Sequence, residues 1–305
     1  MNVEGRVAII LGVTGSGKSA AAIQIALRTG AEVVSGDAFA VYCGLDVGTA
    51  KPGKEERRAV VHHLLDVADP REGFSAGRWA ELARRAVDDV VGRGRPVVVA
   101  GGSHFYLRAL LKGLPAGEVR DPGIRQYLSA RSSPQDRVFK KTVVDLLDPA
   151  YSGKIHLADT ARLNRAVEIL LATGSRVSER RGPDQAPLSR HSLRKFALQI
   201  SPEDLYTRID ERIRDMWMRG WRSEVELLLR SGVPPDAPGF RAIGYPEMVA
   251  LVGGRIPEST ALREIGRKTR SLAKRQRTWL RREEGVIEGS PADVIEQAVG
   301  FLRGE

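Results

Sequence analysis

The feature that most constrains this chain is a strand–loop–helix segment near its start. The apolar run VAIIL ends at Leu11, GVTGSGKS spans residues 12–19, and SAAAIQIALR continues as a helical pattern to Arg28. The loop matches the phosphate-loop pattern G-x-x-x-x-G-K-[ST] at every fixed position. Because a buried strand precedes it and a helix follows it, we prefer a true phosphate-binding loop to a chance match.

The loop residues have separable roles in holding a phosphate group. Glycines let the backbone curl so that its N–H groups converge on phosphate oxygens at a helix N-terminus. Lys18 adds a positive charge, and the Ser19 hydroxyl is a candidate ligand of Mg²⁺. The candidate diphosphate-binding residues are Gly12, Thr14, Gly15, Ser16, Gly17, Lys18 and Ser19.

Strands and helices alternate through the first third of the chain. AEVVSGD predicts a second strand ending at Asp37, and RPVVVAGG predicts a third. A helix is expected from Ser75, its N-cap, to Val91, and SHFYLRALLKG predicts another helix closed by Gly113. This alternation predicts an α/β fold: a P-loop NTPase-like parallel sheet flanked by helices.

The pattern changes near Pro115 and becomes helical without a convincing strand. We expect a core of residues 1–115 and 191–305, interrupted by a helical insertion domain over 116–190. RRGPDQAPLSRHS reads as a linker, and KFALQIS returns to strand character. The remaining expected helices cover about 202–219, 222–231, 245–252, 258–283 and 291–302.

Composition narrows the class of protein. The only cysteine is Cys43, so no intrachain disulfide forms, and no paired Cys/His spacing indicates zinc. No apolar stretch reaches membrane-spanning length, so we expect a cytoplasmic protein with no membrane partner. The formal net charge of +10 favours a polyanionic partner.

An acid is missing where most enzymes with this loop need one. NTP hydrolysis usually uses an Asp at the end of a neighbouring strand, but RPVVVA ends in Gly101-Gly102-Ser103. The nearest obvious acid is Asp37, which either faces the phosphate site or only caps the following turn. If it faces the site, Asp37 could accept a proton from a nucleophile while the loop stabilises departing diphosphate.

A cationic stripe lies near the end of the chain. Residues 262–282 hold nine Lys/Arg and one acid, Glu264. Apolar side chains at Leu262, Ile265, Leu272 and Trp279 are expected to face the core. We prefer polyanion binding to a merely solvated face. The stripe at helical spacing consists of Arg267, Arg270, Lys274, Arg277 and Arg281.

Together these segments resemble the bacterial tRNA dimethylallyltransferases, also called tRNA isopentenyltransferases. The resemblance covers nearly the whole chain, in family order, and its most specific blocks are GLDVGTAKP and AKRQRTWLRR. The other matching pieces are GVTGSGKS at 12–19, the segment 35–52, HHLLDVADP at 62–70, GGSHFYLRAL at 101–110, DTARLNRAVEIL at 159–170, RIDERI at 208–213 and FRAIGYPEM at 240–248.

The resemblance implies the reaction and its catalytic residues. A dimethylallyl group moves from its diphosphate to N6 of the adenosine 3′ of the tRNA anticodon, and that base must leave its stack to react. Asp37 is then the general base, Ser103 bonds near the reacting adenine, and Arg212 helps hold the diphosphate. Mg²⁺ is the expected cofactor, with Ser19 as its ligand, and the enzyme is expected to act as a monomer on the anticodon stem-loop.

The resemblance also implies a set of tRNA-contacting positions, and three residues in this region depart from the family. Ala38 and Ala40 stand where polar residues are typical, and His104 stands where a small residue is usual. The implied positions are Asp37, Ala38, Phe39, Ala40, Ser103, Arg125, Asp159, Thr160, Ala161, Arg162, Leu163, Arg165, Phe240, Arg241, Ala242, Ile243, Gly244, Tyr245, Ala273, Lys274, Arg275, Gln276, Arg277, Thr278, Trp279 and Leu280.

Two other classes of protein fit part of the sequence. A P-loop kinase of a nucleoside, nucleotide or small metabolite explains the loop and Asp37 but leaves the basic segment unexplained. A non-catalytic RNA-binding protein switched by NTP explains the basic segment but not Asp37 and Ser103.

Overall fold

The fold is built on a six-stranded parallel sheet. It is described by a computed structural model over residues 5–114, 121–180 and 188–305. The strands are β1 (Arg6–Leu11), β2 (Glu32–Ser35), β3 (His62–His63), β4 (Val97–Gly101), β5 (Ser192–Leu198) and β6 (Val286–Gly289). Their spatial order is β3-β2-β4-β1-β5-β6, and every pairing is parallel. The predicted parallel α/β sheet is therefore confirmed.

Helices connect the strands and cover the sheet. Those before the insertion are α1 (Lys18–Thr29), α2 (Lys54–Ala59), α3 (Ala76–Gly92) and α4 (His104–Lys112). The insertion contributes α5 (Pro122–Ala130), α6 (Pro134–Leu147), α7 (Pro149–Ser152) and α8 (Thr160–Thr173). The last part adds α9 (Pro202–Met218), α10 (Trp221–Arg230), α11 (Tyr245–Val252), α12 (Glu258–Leu280) and α13 (Pro291–Arg303).

The central strand β1 shows how the sheet separates two apolar layers. Val7, Ile9 and Leu11 pack into a layer that also contains buried residues of α3, α9, α10 and α12. Ala8 and Ile10 point to the opposite face, where α1 and α13 close the second layer. Because both faces are covered, the strand is continuously apolar rather than alternating.

The chain divides into two compact units, residues 1–111 with 186–305, and residues 112–185. The smaller unit has its own core, which includes Leu128, Val144 and Leu163. Its buried Lys140 is satisfied by the carbonyl oxygens of Leu128 and Arg131 and by Asn164 Oδ1. Residues 115–120 and 181–187 lie outside the described residues. The predicted domain boundaries at 115/116 and 190/191, and the predicted linker, fall on or beside these two segments and therefore stay predictions.

Several element predictions differ from the structure. The second strand ends at Ser35 rather than Asp37, because Ser35 forms the last β2–β4 pair and Asp37 already belongs to the turn that its side chain caps. The helix expected over 258–283 ends at Leu280. The short elements α2, β3 and β6 were not predicted, because they are too brief to show a hydrophobic period. Among the described residues, no helix is both long and apolar enough to cross a bilayer.

Candidate active site

The phosphate loop connects β1 to α1 at the carboxyl edge of the sheet. Gly15 and Gly17 have φ values of 83° and 91°, a left-handed conformation that favours glycine. Gly17 is also the N-cap of α1 and supplies no side-chain hydrogen bond to the helix. The first amides of α1 therefore remain available to an anion. Ser16 is buried, and its Oγ has no hydrogen-bond partner among the described residues.

Two cations and one carboxylate cluster beside this loop. Burial and, to a smaller extent, the positive charge of Arg212 lower the pKa of Lys18, while Asp37 raises it, and the result is a pKa of about 8. Burial also lowers the pKa of Arg212, and Asp37 again acts in the opposite direction. Neither cation forms an ion pair within the described part of the chain. Because two partly desolvated cations repel each other, the cluster is suited to a multiply charged anion.

Asp37 occupies the turn after β2 and is held by that turn. Its Oδ1 accepts hydrogen bonds from Phe39 N at 2.8 Å and Ala40 N at 3.2 Å. The capping role left open by the sequence is therefore present. Both amide bonds use Oδ1, and no described group donates a hydrogen bond to Oδ2. The carboxylate thus keeps one oxygen for a further partner.

Ser103 joins the loop after β4 to the loop that carries Asp37. Its Oγ accepts a hydrogen bond from Ala38 N at 2.9 Å. The two loops approach closely because each contains glycine: a Cβ on Gly101 would lie 2.3 Å from Gly36 O. Gly36 N also donates to Ala100 O at 2.7 Å. Close backbone contact thus brings Asp37 and Ser103 to the same edge of the sheet.

Gln276 of α12 connects the phosphate loop to the loop after β4. Its Oε1 accepts from Thr14 N at 2.7 Å, and its Nε2 donates to Gly102 O at 2.9 Å. Only 5% of Gln276 is exposed. The residue was predicted as a tRNA contact, but in the structure its side chain is hydrogen-bonded to the phosphate loop and to the loop after β4.

His104 begins α4 and stacks on Trp279 of α12. Their ring centroids are 4.1 Å apart, with an interplanar angle of 15°. Burial and, to a smaller extent, the charge of Lys18 lower the pKa of His104 to about 4. Both ring nitrogens lack a hydrogen-bond partner among the described residues. The imidazole is therefore neutral and belongs to the contact between α4 and α12.

The GLDVGTAKP segment forms a loop that is fastened at two points. Glu224 of α10 accepts hydrogen bonds from Asp46 N, Val47 N and Gly48 N at 2.7, 2.6 and 3.3 Å. Buried Lys51 donates to Tyr42 O at 2.5 Å and to carboxylates of Asp46 and Asp66 at 2.9 and 2.5 Å. These contacts fix the path of the chain that follows Asp37.

The exposed side chain of Cys43 lies immediately before this segment in the chain. Its thiol donates to Asp66 O at 3.2 Å, and its amide donates to Ala68 O at 2.9 Å. Its backbone is thus anchored, while its side chain remains at the surface.

A cavity of about 680 Å³ opens beside the phosphate loop at Val13. Its wall carries three arginines, Arg208 of α9 and Arg277 and Arg281 of α12. The Arg277 Nη2 atom is buried without a hydrogen-bond partner among the described residues. Asp204 and Glu288 also line the cavity, so three cations and two acids share its wall.

The cationic stripe of α12 is less uniform than its spacing predicted. Arg267 pairs with Glu264, Arg270 pairs with Asp210, and Arg277 lines the cavity. Ala261, Gly266, Ala273 and Gln276 join Ile265 on the buried face, whereas Leu262, Leu272 and Trp279 are half-buried. Small residues form this face because α12 packs closely on the core. The most exposed cations near its end are Lys274, Arg275, Arg281 and Arg282.

Among the predicted tRNA positions in the larger unit, many side chains are internal. Phe240 stacks on Tyr245, and both are buried, as are Ala242, Gly244 and Ala273. Arg241, Lys274, Arg275 and Thr278 are exposed, and Phe39, Ile243, Arg277, Trp279 and Leu280 are half-buried. Ala38 is half-buried and Ala40 is buried.

The predicted positions in the smaller unit form a charged cluster on α5 and α8. Buried Glu168 binds Arg125 at 2.6 Å and Arg165 at 2.8 Å. Asp159 caps α8 by accepting from Arg162 N at 3.1 Å. Ala161 and Arg162 are exposed, Thr160 is half-buried, and Leu163 is buried. The side chains available at the surface of this segment are thus those of its first turn.

Sequence reasoning did not single out Glu224, which anchors the loop at Asp46–Gly48. Arg208, whose Nη1 would lie 3.8 Å from a Cβ on Gly17, was recognised only as part of the basic RIDERI segment and not as a neighbour of the phosphate loop. Gln276 was predicted as a tRNA contact, and its hydrogen bonds to the two loops were not foreseen. Gln276 is a single polar residue on the apolar face of α12, and this position was a sequence signal for a buried hydrogen-bonding role. No comparable sequence signal marks Glu224.

This arrangement defines a class of protein. A phosphate loop, two unpaired cations and a carboxylate meet at the carboxyl edge of a parallel sheet, and no acid ends β4. These are the features of a P-loop protein that binds a diphosphate-containing ligand and has a candidate general base.

Sequence comparisons identify the family within this class. The family model for IPP transferase matches residues 40–283, and the chain belongs to the IPP transferase family. It is 41% identical to a tRNA dimethylallyltransferase of an Anaeromyxobacter species, over 92% of this chain and 93% of that protein. The corresponding protein of Thermomicrobium roseum is 39% identical, over 94% of this chain and 86% of that protein.

Solved structures agree with this membership. The tRNA isopentenylpyrophosphate transferase of Bacillus halodurans is 30% identical, with a TM-score of 0.71 over 99% of this chain and 96% of that chain. A eukaryotic dimethylallyltransferase crystallised acting on tRNA is 24% identical, with a TM-score of 0.80 over 99% of this chain and 80% of that chain. The second likeness supports the fold alone.

Proposed function

We propose that this protein transfers a dimethylallyl group from dimethylallyl diphosphate to N6 of the adenosine 3′ of the tRNA anticodon. The observation that carries the proposal is the cluster of Lys18, Arg212 and Asp37 beside the phosphate loop. In this reaction N6 forms a bond to C1 of the donor, and the C1–oxygen bond breaks. The diphosphate leaves with the bonding electrons, and N6 loses one proton.

Each group in the cluster has a task in this reaction. Lys18, Arg212 and the amides at the start of α1 stabilise the negative charge that grows on the departing diphosphate. Asp37 Oδ2 accepts the N6 proton, while Oδ1 stays bonded to the turn. Ser103, already bonded to Ala38 N, positions the adenine beside the carboxylate. Phosphorus is not attacked, so an acid at the end of β4 is not needed.

The residues around the loop fit a magnesium ion that arrives with the diphosphate. Ser19 is exposed in the first turn of α1, and no described protein group is hydrogen-bonded to its hydroxyl. Mg²⁺ commonly binds phosphate oxygens, one or two protein oxygens and waters. We therefore assign Ser19 as its protein ligand, and the bound ion would neutralise part of the diphosphate charge.

We further propose that tRNA is held through its anticodon stem-loop by exposed cations of both units. Arg241, Lys274 and Arg275 serve this purpose in the larger unit, and Arg162 serves it in the smaller one. Cationic backbone contacts suit an RNA loop whose target base is turned outward. The enzyme is expected to act in the cytoplasm as a monomer.

The test is to incubate the protein with Mg²⁺, radiolabelled dimethylallyl diphosphate and unmodified tRNA. We expect label in the adenosine next to the anticodon and one diphosphate released per transfer. Release of orthophosphate from ATP without tRNA, and no label in tRNA, would instead indicate the kinase or switch function.

Donor binding is expected to weaken at alkaline pH. The pKa of Lys18 in the free protein is about 8, so above that pH the side chain is mostly uncharged. A diphosphate restores the proton when it binds, so the donor Kd should rise about tenfold per pH unit above 8. Isothermal titration with dimethylallyl diphosphate between pH 7 and 10 measures this change.

The control for that titration is Lys18→Arg. A guanidinium stays protonated across the range, so the Kd of this variant should be nearly independent of pH. A wild-type Kd that is also constant up to pH 10 would mean that the charge of Lys18 does not change when the diphosphate binds, contrary to its lowered pKa in the free protein.

Removing two exposed cations of α12 is expected to weaken tRNA binding. Lys274→Ala with Arg275→Ala should reduce the slope of log K against log salt by about 0.7–0.9 for each phosphate that the variant no longer binds. We choose Arg275 rather than Arg277, because Arg277 lines the cavity beside the phosphate loop. The slope is measured by filter binding between about 50 and about 300 mM salt, a range in which electrostatic screening changes substantially.

The matched control removes two exposed cations at the opposite edge of the sheet. Arg6 begins β1 and Arg303 ends α13, so Arg6→Ala with Arg303→Ala should leave the slope unchanged. Equal slopes for both double variants would mean that Lys274 and Arg275 only interact with solvent.

A further inference from the structure

Gln276 makes two contacts that join three parts of the site. Its side-chain oxygen holds Thr14 N of the phosphate loop at 2.7 Å, and its side-chain nitrogen holds Gly102 O at 2.9 Å. The residue after Gly102 is Ser103, which bonds to the loop of Asp37. One buried side chain thus contacts the phosphate loop directly and is connected to the loop of Asp37 through two residues, Gly102 and Ser103.

The surroundings leave little freedom for this contact. A Cβ on Gly102 would lie 2.7 Å from Gln276 Nε2, 3.2 Å from Gly12 O and 3.4 Å from Lys18 Cε. Three residues further along α12, Trp279 stacks on His104. The inward face of α12 is therefore docked on Gly102 of the loop after β4 and on His104 at the start of α4.

The chemistry of the contact requires glutamine. An N–H donor at Thr14 and a carbonyl acceptor at Gly102 must be satisfied together, and a side-chain amide offers one acceptor and a donor group. Glutamate keeps the acceptor but loses the donor and adds negative charge near the phosphate loop. Methionine has similar length and satisfies neither group.

The same helix carries exposed cations on its outward side. Lys274 and Arg275 immediately precede Gln276 and lie at the surface, whereas Gln276 points inward. A helix of 23 residues is stiff over this short distance. The exposed cations and the hydrogen bonds of Gln276 to Thr14 and Gly102 thus lie on opposite sides of one short stretch of α12.

We propose that Gln276 is a positioning residue that fixes the donor loop relative to Ser103 and couples tRNA docking on α12 to diphosphate binding. The inference rests on the proposed function. It replaces the expectation that Gln276 contacts tRNA itself. Because the coupling is a difference in free energy between sites, tRNA raises the affinity for diphosphate by the same factor as diphosphate raises the affinity for tRNA.

The test compares Gln276→Met with wild type and with Arg263→Met, an exposed position on the same helix. The single-turnover rate is measured at saturating donor and tRNA. Affinity for inorganic diphosphate is measured with and without unmodified tRNA, a mixture in which no transfer occurs. Thermal unfolding of each variant reports whether it is folded.

For Gln276→Met we expect a rate about 10–100-fold below wild type, since small misplacements of reacting groups have effects of this size. The ratio of diphosphate affinities with and without tRNA should fall towards one. The tRNA Kd should stay within about threefold, which is less than the removal of a direct hydrogen bond to a base would cause. Arg263→Met should match wild type in all three. Gln276→Asn, too short to span both partners, should be intermediate and provides a variant that keeps the polar groups if methionine prevents folding.

Three outcomes would overturn the inference. The rate and the affinity ratio of Gln276→Met could both equal those of wild type. The tRNA Kd could weaken strongly with an unchanged rate, which would make Gln276 a tRNA contact. Wild type could show no coupling between tRNA and diphosphate. Failure of the wild-type chain to label tRNA is a separate result that would reject the proposed function instead.

Discussion

Asp37→Asn is expected to slow single-turnover transfer by about 10²–10⁴-fold, the usual effect of losing a general base. The structure makes this substitution selective. An asparagine Oδ1 can still accept from Phe39 N and Ala40 N, so the turn keeps its capping bonds. The amide that replaces Oδ2 cannot accept a proton from N6. The tRNA Kd should stay within a few-fold of wild type.

Asp37→Ala provides the comparison that separates the two roles of the carboxylate. Alanine removes both the base and the cap, so it should lower the thermal stability as well as the rate. If asparagine restored both stability and rate to nearly wild-type values, Asp37 would be only a capping residue. The measurement is rapid-quench transfer at saturating donor, with calorimetry on the same samples.

Lys18→Ala is expected to lower kcat and to weaken donor binding together. Negative charge on the diphosphate grows as the C1–oxygen bond breaks, so an ammonium near it stabilises the transition state more than the ground state. Removing one such group commonly lowers kcat about 10²–10³-fold. Steady-state kinetics with varied dimethylallyl diphosphate at saturating tRNA separate the two effects.

Lys18→Arg tests whether charge alone is sufficient. Its planar guanidinium does not replace a compact ammonium among backbone amides, so only part of the activity should return. Unimpaired transfer by Lys18→Ala would remove the phosphate loop from the reaction. An ATP hydrolysis that is independent of tRNA and abolished in Lys18→Ala would assign the loop to a nucleotide.

The parts of the fold that sequence predicted well are those with a strong local pattern. β1 is a continuous apolar run, and GVTGSGKS requires a strand before it and a helix after it. Helix α3 was placed to within a residue because Ser75 caps it by accepting from Arg78 N. In each case a local signal and burial agree.

The missed elements depend on partners distant in sequence. The four residues of β6 become a strand because they pair with β5 at the edge of the sheet. The two residues of β3 similarly depend on pairing with β2. No hydrophobic period can be read from segments this short, so only the tertiary structure reveals them.

The candidate site shows the same division. Asp37, Lys18 and Arg212 were singled out from motifs, and the structure brings them into electrostatic contact. Gln276 contacts Thr14 and Gly102, which are separated from it by 262 and 174 positions in the sequence. The motif that contains Gln276 gives no information about these contacts. The motifs therefore identified the residues of the site, whereas their hydrogen-bond partners became known only from the structure.

The anchored backbone and the exposed thiol of Cys43 make this protein suitable for site-specific fluorescent labelling. As the only cysteine, it offers a maleimide fluorophore one attachment point without any background substitutions. The dye would sit in the connection between β2 and α2 that also carries Asp37, on a backbone held by the Cys43 N–Ala68 O hydrogen bond. Native protein could thus be labelled once and followed in real time by stopped flow as its substrates arrive.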